Sequence, residues 1–204
     1  MILYGAGGHA LVVKDIVTAV GGEVDFFLDD AADFTQFAGL EVQRPDSVET
    51  GQEVVVCIGD CQARRQVTMQ LMAKAVRFPV VVHPTAIIAP DVIIGEGTVV
   101  MPGAIINSGA RIGRHCIVNS GAVVEHECLL GDFVHISPHA TLCGRAVIGE
   151  STWIGAGAVV VQCISVGAGT VVGAGSVVTR DMPSDVVAYG NPCRIQQDKN
   201  GAKG

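Results

Sequence analysis

The sequence predicts an α/β half-domain followed by an all-β parallel solenoid, and three patterns support this. An aliphatic residue recurs every six positions from Thr85 to Arg180, sixteen times without a gap. Glycine follows that residue at 18-residue steps, so three hexads form one triangular coil; these glycines are Gly95, Gly113, Gly131, Gly149 and Gly167. Residues 1–84 instead alternate short apolar strands with helical patterns, which favours a small parallel sheet. A repeat of six with glycine-rich corners is typical of a solenoid whose neighbouring coils bury one another.

These patterns divide the chain into three segments. Residues 1–84 form the α/β domain, residues 85–180 the solenoid, and residues 181–204 a closing segment and tail. Pro84 ends the first segment, because proline continues neither a helix nor a sheet ladder. No Ser/Gly-rich linker follows it, so we expect the two domains to pack together. The polar tail, residues 196–204, is expected to be disordered.

Composition narrows the class of function. The net charge of −7 argues against a nucleic-acid partner, since basic patches supply the affinity for a phosphate backbone. No apolar run approaches the roughly 20 residues of a membrane helix and no signal peptide is recognisable, so we expect a cytoplasmic protein without a membrane span. The seven cysteines lack paired zinc-like spacing, which favours buried, reduced thiols, and we expect no metal.

The α/β segment contains four predicted strands and two predicted helices. The strands cover residues 1–4, 24–28, 54–58 and 79–82, and the helices cover residues 11–20 and 62–74. The run from Gly5 to Ala10 after the first strand, with Asp29 and Asp30 ending the second, imitates a dinucleotide fingerprint. At 84 residues the segment suits one Rossmann-like nucleotide half. The alternatives are a tight glycine turn without a ligand, and a nicotinamide-dependent enzyme, which the lack of a second substrate domain disfavours.

Two rows of side chains characterise the predicted solenoid. Small residues stand two positions before most of the aliphatic residues and share their inward face. The residue just before each aliphatic position points outward, yet twelve of these sixteen are apolar. A row that faces solvent would be polar, so we expect much of this surface to meet another subunit, most simply in a closed homotrimer.

His126 is the candidate general base. It belongs to an outward corner row and is flanked by Glu125 and Glu127; a carboxylate beside an imidazole favours its protonation and fixes its tautomer. Gly144 follows one coil later and is expected to leave open space in which a ligand could lie. The alternative is a solvated corner histidine between two solubilising acids. His135, in an otherwise apolar outward row, could enter the same groove or bond a neighbouring subunit.

The residues that carry these features resemble the hexapeptide acyltransferases. The in-phase hexads, the segment Asn119 to Cys128, the His135-Ile136-Ser137 run and the closing Gly190-Asn191-Pro192 are similar to those of nucleotide-amino-sugar N-acetyltransferases, which acetylate the 4-amino group of a UDP-linked dideoxy sugar. The opening glycine run and the Asp29-Asp30 pair match the N-terminal domain of that group. Cys193 replaces a more usual alanine, and Ala10 stands at the position of the third glycine of the fingerprint.

The resemblance implies a left-handed β-helix, a homotrimer and active sites in the grooves between subunits. It implies acetyl-CoA as the co-substrate, with His126 as base and Glu127 as its partner. The coenzyme contacts implied are Asn119, His135, Gly144 and Gly173, and the expected nucleotide-sugar contacts are Gly7, Gly8, His9, Asp29, Asp30 and Gly59. Transfer would be direct, because no protein nucleophile has an adjacent base. A backbone N–H near Gly144, or His135, could stabilise the oxyanion.

Two competing functions remain at this point. A sugar O-acetyltransferase of the sialic acid type could use the same base to deprotonate a hydroxyl group. A non-catalytic β-helix scaffold would share the repeat but would not need His126 or Gly144.

Overall fold

The structure, a computed structural model, describes residues 1–198; the remainder of the predicted disordered tail, residues 199–204, lies outside them. Within the described part, the tail prediction is wrong for residues 196–198, which belong to the last strand. That strand pairs antiparallel with the strand before it, so backbone hydrogen bonds hold a segment that its polarity alone would leave loose.

The N-terminal domain is a five-stranded sheet in the order β3-β4-β2-β1-β5. Its elements are β1 (Ile2–Tyr4), α1 (Gly8–Ala19), β2 (Phe27–Leu28), β3 (Gln36–Phe37), β4 (Leu40–Gln43), a 3-10 turn (Pro45–Ser47), β5 (Val54–Val56) and α2 (Cys61–Met72). The pairs β1–β2, β1–β5 and β2–β4 are parallel, as predicted for this segment. The antiparallel hairpin β3–β4 was not predicted, because its turn, Ala38-Gly39, lacks the asparagine or aspartate usual in tight hairpin turns.

The N-termini of the two helices are capped differently. α1 begins after Gly7 without a side-chain cap and buries an apolar face of Ala10, Val13, Ile16 and Val17. α2 begins after Asp60, whose carboxylate accepts a hydrogen bond from the Ala63 N–H at 2.8 Å and so satisfies one free donor of the first turn. The open N-terminus of α1 therefore keeps its backbone donors exposed.

The solenoid follows with a strand of two residues in every hexad. These strands are β6 (Val81–Val82), β7 (Ile87–Ile88), β8 (Ile93–Ile94), β9 (Val99–Val100), β10 (Ile105–Ile106), β11 (Arg111–Ile112), β12 (Ile117–Val118), β13 (Val123–Val124), β14 (Leu129–Leu130), β15 (His135–Ile136), β16 (Thr141–Leu142), β17 (Val147–Ile148), β18 (Trp153–Ile154), β19 (Val159–Val160), β20 (Ser165–Val166), β21 (Val171–Val172) and β22 (Val177–Val178). The chain closes with β23 (Val186–Tyr189) and β24 (Arg194–Asp198).

The strands form three faces of a prism. Face 1 contains β6, β9, β12, β15, β18, β21, β23 and β24; face 2 contains β7, β10, β13, β16, β19 and β22; face 3 contains β8, β11, β14, β17 and β20. Every parallel pair from β6 to β22 joins residues 18 apart, which confirms the predicted triangular coil. The predicted small inward row is buried, and Cys116 and Cys128 belong to it.

The glycine column holds neighbouring coils close together. A Cβ atom added at Gly95, Gly113, Gly131, Gly149 or Gly167 would lie 2.4–2.7 Å from backbone atoms of the next stretch of chain. Real side chains do not tolerate such a contact with backbone, so this corner requires glycine. The 18-residue glycine period is thus a consequence of coil spacing.

The N-terminal domain packs on face 1, which corrects two predictions. The predicted strand near residue 81 does not join the N-terminal sheet: β6 pairs with β9 and α1 packs against it. The outward residue Val99 packs in the core of this domain, and Ile117 beside it is also buried within the chain, so on this part of face 1 the apolar outward row meets its own chain and not another subunit.

Arg64 on α2 ties the two domains together. Its side chain is only 1% exposed, and its guanidinium donates to the carbonyl oxygens of His115 at 2.8 Å, Phe133 at 2.7 Å and Ile58 at 2.8 Å. These acceptors belong to both domains, so one buried cation fixes the position of α2 against the solenoid.

Candidate active site

His126 lies at the corner between β13 and β14, where face 2 meets face 3. Its side chain is 53% exposed, and its Nδ1 lies 3.1 Å from Glu127 Oε2. The nitrogen that faces a carboxylate carries the proton, so in the neutral ring Nε2 keeps a free lone pair. This is the arrangement that a general base requires.

Gly144 lies directly against the His126 ring. A Cβ atom at position 144 would come within 2.5 Å of His126 Nε2 and 2.7 Å of Cε1. The imidazole therefore occupies the space directly over Gly144, while a cleft lined by both residues remains beside it. A side chain at position 144 would displace the ring, which rests on the backbone of the next coil.

Glu127 bridges His126 and an arginine that the sequence analysis missed. Arg145 Nε lies 3.0 Å from Glu127 Oε2, the same oxygen that faces His126. The hydrogen bond with His126, and then the hydrogen bond and charge of Arg145, lower the pKa of Glu127. Arg145 follows Glu127 by 18 residues, so the coil period could have identified the pair.

A cleft of about 380 Å³ adjoins His126. It is lined by Glu125, His126, Cys143, Gly144, Arg145, Gln162 and Cys163. The Gly144 N–H donates no hydrogen bond within residues 1–198, so one unpaired backbone donor lies beside the imidazole. The cleft thus presents an imidazole, a guanidinium and a free N–H within one corner of two successive coils.

His135 occupies a different environment on face 1. It is 6% exposed, its Nδ1 lies 3.0 Å from the Gly59 carbonyl oxygen, and its Nε2 lies 3.1 Å from Asn119 Nδ2. Burial, and then the charge of Arg64, lower the pKa of His135 to about 4, so the ring is neutral at pH 7. Its single N–H is donated to Gly59, and it has none left for the oxyanion role considered in the sequence analysis.

A second cavity, of about 420 Å³, lies beside His135 and is called the Trp153 cavity. It is lined by His135, Ser137, Pro138, Trp153, Gly155, Ala156, Val171, Val172, Gly173 and Ala174. The Trp153 ring stacks on the His135 ring with a centroid distance of 5.4 Å and donates from Nε1 to Ser137 Oγ at 2.7 Å. The Gly173 N–H is donated to Ala188, so this predicted coenzyme residue contributes its surface and not its N–H.

The two cavities do not meet within one chain. His126 lies at the corner between faces 2 and 3, whereas His135, Trp153 and Gly173 lie on or beside face 1, opposite that corner. The predicted groups therefore fall into two half-sites on opposite sides of the prism.

The start of α1 presents a third set of predicted residues. A Cβ atom at Gly7 or Gly8 would meet nothing within 4 Å, and the N–H groups of residues 7–9 donate no hydrogen bond within the described part of the chain. His9 is largely buried; burial and the charge of Arg64 lower its pKa to about 4, and its Nε2 has no partner among the described residues. A helix N-terminus with free donors is suited to an anion such as phosphate.

The predicted acids have mainly structural partners. Asp29 accepts hydrogen bonds from the N–H groups of Ala6 at 2.8 Å, Ala31 at 2.8 Å and Ala32 at 3.1 Å, so it holds the loop after β2. Asp30 accepts from the Tyr4 hydroxyl at 2.5 Å. The Gly59 carbonyl accepts from both His135 and Arg64, so Gly59 connects the two domains through its backbone.

No group of residues that could hold a metal ion occurs within residues 1–198. The described helices include none long and apolar enough to cross a membrane.

The sequence matches two known families over parts of its length. Residues 1–71 match the PglD N-terminal domain, and residues 145–180 match the bacterial transferase hexapeptide repeat. Galactoside O-acetyltransferase of Lactococcus lactis is 38% identical over 56 residues, and the chain spans about a quarter (27%) of its length.

Three solved structures match almost the whole chain. A histidine variant of perosamine N-acetyltransferase from Caulobacter crescentus, in complex with CoA and GDP-perosamine, is 34% identical with a TM-score of 0.91 and coverage of 97% of this chain and 96% of that one. The acetyltransferase domain of PglB from Neisseria gonorrhoeae, in complex with acetyl coenzyme A, is 38% identical with a TM-score of 0.90 and coverage of 95% and 97%. WeeI from Acinetobacter baumannii is 28% identical with a TM-score of 0.86 and coverage of 95% and 98%.

Two of these structures exceed 30% identity over nearly the full length of both chains, and their fold is the one described above. The protein therefore belongs to the hexapeptide-repeat, left-handed β-helix family of acetyl-CoA-dependent sugar N-acetyltransferases.

Proposed function

We propose that this protein transfers the acetyl group of acetyl-CoA to the 4-amino group of a nucleotide-linked amino-dideoxy sugar, with His126 as the general base. The observation that carries this proposal is the exposed imidazole of His126, whose Nδ1 faces Glu127 and whose ring lines a cleft. A neutral histidine held in this tautomer has its Nε2 lone pair available to accept a proton from an acceptor amine.

The chemical step is direct transfer. The sugar ammonium ion loses one proton to solvent, and the resulting amine attacks the thioester carbonyl while Nε2 of His126 takes its second proton. The C–S bond then breaks, and the thiolate of CoA receives that proton from the imidazolium. The free N–H of Gly144 is our candidate donor to the oxyanion, since it lies beside the imidazole.

The N-terminal domain would hold the nucleotide. The exposed backbone at Gly7 and Gly8 can approach a pyrophosphate closely, and the positive end of α1 would stabilise it. We expect His9 and Gly59 to face the sugar, since His9 Nε2 is a buried group without a hydrogen-bond partner among residues 1–198. UDP is the nucleotide that the family resemblance implies, and GDP-perosamine is the sugar nucleotide bound in the perosamine enzyme.

Two subunits would complete each active site. Faces 2 and 3, which meet at the His126 corner, carry exposed apolar residues such as Ile87 (64%) and Ile93 (53%). In a homotrimer, face 1 of one subunit can lie against the His126 corner of the next, which brings the Trp153 cavity to the imidazole. The apolar cavity would then hold acetyl-CoA between the subunits.

The test measures the release of free CoA thiol from acetyl-CoA in the presence of UDP-, GDP- or dTDP-linked 4-amino sugars. Mass spectrometry then shows whether the sugar has gained an acetyl group. We expect one nucleotide series to gain an acetyl group and His126→Ala to lose 10²–10⁴-fold in kcat, roughly the range for loss of a general base. Wild-type rates in His126→Ala would show that the base is assigned wrongly.

The shared site is tested by co-expressing His126→Ala with Trp153→Ala. If each site uses the corner of one subunit and the cavity of another, about a third of the sites in mixed trimers are intact, and at acetyl-CoA concentrations far below the KM the activity exceeds the mean of the two parent variants. Two half-sites within one chain would give only that mean.

A sugar O-acetyltransferase is the second candidate, because the galactoside O-acetyltransferase of Lactococcus lactis shares 38% identity over 56 residues. Free galactosides and sialic acid in the same assay separate the two, since an O-acetyl ester is cleaved by mild alkali and an N-acetyl amide is not.

A further inference from the structure

We infer that Arg145 is a positioning residue for the proposed acetyl transfer: it holds the Glu127 carboxylate in the orientation that keeps the proton on Nδ1 of His126 and leaves Nε2 as the base. This inference rests on the proposed function, which assigns the base but gives no role to Arg145. The cation also offsets part of the negative charge that Glu127 places beside the imidazole.

The geometry joins the three side chains through one oxygen atom. Glu127 Oε2 lies 3.1 Å from His126 Nδ1 and 3.0 Å from Arg145 Nε. Glu127 is an exposed side chain with several rotatable bonds, and a single contact with an exposed imidazole would hold it weakly. A second donor on the same oxygen limits the directions that the carboxylate can take.

The backbone places Arg145 above Glu127. Both residues adopt the left-handed conformation at the same corner of successive coils, with φ of 59° and 61°, and the Arg145 N–H donates to the carbonyl of His126 at 2.9 Å. The coil repeat therefore fixes where the guanidinium starts, and its Nε reaches the carboxylate below.

The charge of Arg145 has a definite sign of effect on the pH–rate profile. The ionisable groups around His126 are Glu125 and Glu127 at its own corner, Cys143 and Arg145 on the next coil, and Cys163 on the coil after that. Removing the cation leaves the carboxylates to stabilise the imidazolium alone, so the base requires a higher pH. Removing Glu127 acts in the opposite direction.

The variants are Arg145→Ala, Arg145→Lys and Glu127→Gln, with Arg114→Ala as a matched control. Arg114 makes the same kind of contact between successive coils, to Asp132 Oδ2 at 3.0 Å and 2.7 Å, but at another corner. We expect Arg145→Ala to lower kcat about 10-fold, part of the loss for a missing base, and to move the midpoint of the pH–rate profile up by roughly half a unit. Arg145→Lys should keep the midpoint and lose kcat, Glu127→Gln should move the midpoint down, and Arg114→Ala should change neither.

A second measurement does not depend on turnover. Nitrogen-15 NMR of labelled histidine distinguishes the two neutral tautomers, with His126→Asn to assign the signals. We expect wild-type His126 to carry its proton on Nδ1 and Arg145→Ala to contain a mixture of tautomers.

These results separate the two ideas. A wild-type protein without acetyl transfer, but with tautomer mixing in Arg145→Ala, removes the proposed function and leaves the positioning role. Unchanged kcat, pH profile and tautomer in Arg145→Ala overturn the role of Arg145, as does a rise in KM for acetyl-CoA alone, which would indicate an anion contact.

Discussion

Replacing Gly144 by alanine tests whether the contact between Gly144 and His126 positions the base. The added Cβ would lie 2.5 Å from His126 Nε2, about 1 Å inside an ordinary contact between such atoms. The backbone at Gly144 is held by neighbouring coils, whereas the imidazole is 53% exposed, so the ring must move. A ring displaced by about 1 Å loses its hydrogen bond to Glu127 and its approach to the amine.

We expect Gly144→Ala to lower kcat about 10²-fold, since misplacing a catalytic group by 1 Å has an effect of this order. The KM for acetyl-CoA should change less, because the Trp153 cavity lies on another face. Steady-state kinetics by thiol release gives both constants.

A double-mutant cycle with His126→Ala isolates the contact. Without the imidazole the new methyl group has free space, and alanine should then stabilise the fold by about 0.4–1 kcal/mol through the unfolded chain. When His126 is present, Gly144→Ala should not increase the free energy of unfolding measured in urea. The reasoning is refuted if Gly144→Ala keeps wild-type kcat, or if its stability effect is equal in both backgrounds.

Three further outcomes follow from other contacts. Arg64→Met should destabilise the fold by about 3 kcal/mol or more in urea unfolding, because it leaves the carbonyls of His115 and Phe133 buried without their donor; an effect within 0.5 kcal/mol would contradict this role. The pKa of His135 is lowered from 6.5 to about 4, so between these pH values the unfolded chain binds a proton that the folded chain does not. The free energy of unfolding should therefore fall as the pH drops from about 6.5 to 4. His135→Gln should reduce this slope, and an unchanged slope would exclude His135 as a contributor. Trp153→Ala should raise the KM for acetyl-CoA about 10-fold, because it removes one wall of the cavity. Val171 pairs with Trp153 on the next coil, and Val171→Ala should have a smaller effect. An equal KM in both variants and the wild type would show that acetyl-CoA does not bind in this cavity.

The solenoid was predictable because its signal repeats. Each coil buries the same positions, so an error at one hexad is outweighed by fifteen others, and the sheet pairs at 18-residue steps confirm the phase. The N-terminal domain lacks this redundancy. The hairpin at Ala38-Gly39 has only one weak turn signal in its sequence. The sequence of β6 does not distinguish a last strand of the N-terminal sheet from the first strand of the solenoid.

The candidate site was predictable at the level of position and not of side-chain direction. The corner phase placed His126 outside the core, as the structure has it. The same phase predicted open space beside His126 but not that the imidazole packs directly on Gly144, because rotamers depend on partners such as Glu127 that a repeat does not specify. Arg64 gave no signal, since an arginine on a polar helix is expected to face solvent.

The domain interface explains why His135 is buried and uncharged beside the Trp153 cavity. Gly59 lies in the loop that follows β5, at the carboxyl edge of the N-terminal sheet, where nucleotides bind in such sheets, and its carbonyl accepts hydrogen bonds from both His135 and Arg64. Arg64 in turn holds the solenoid carbonyls of His115 and Phe133. A shift of this loop on nucleotide-sugar binding would therefore have to break a hydrogen bond of a buried cation or rotate His135 against Trp153. Because both changes are costly, the interface keeps the two domains in one fixed relation, and we expect the proposed transfer to rely on the preformed distance between them.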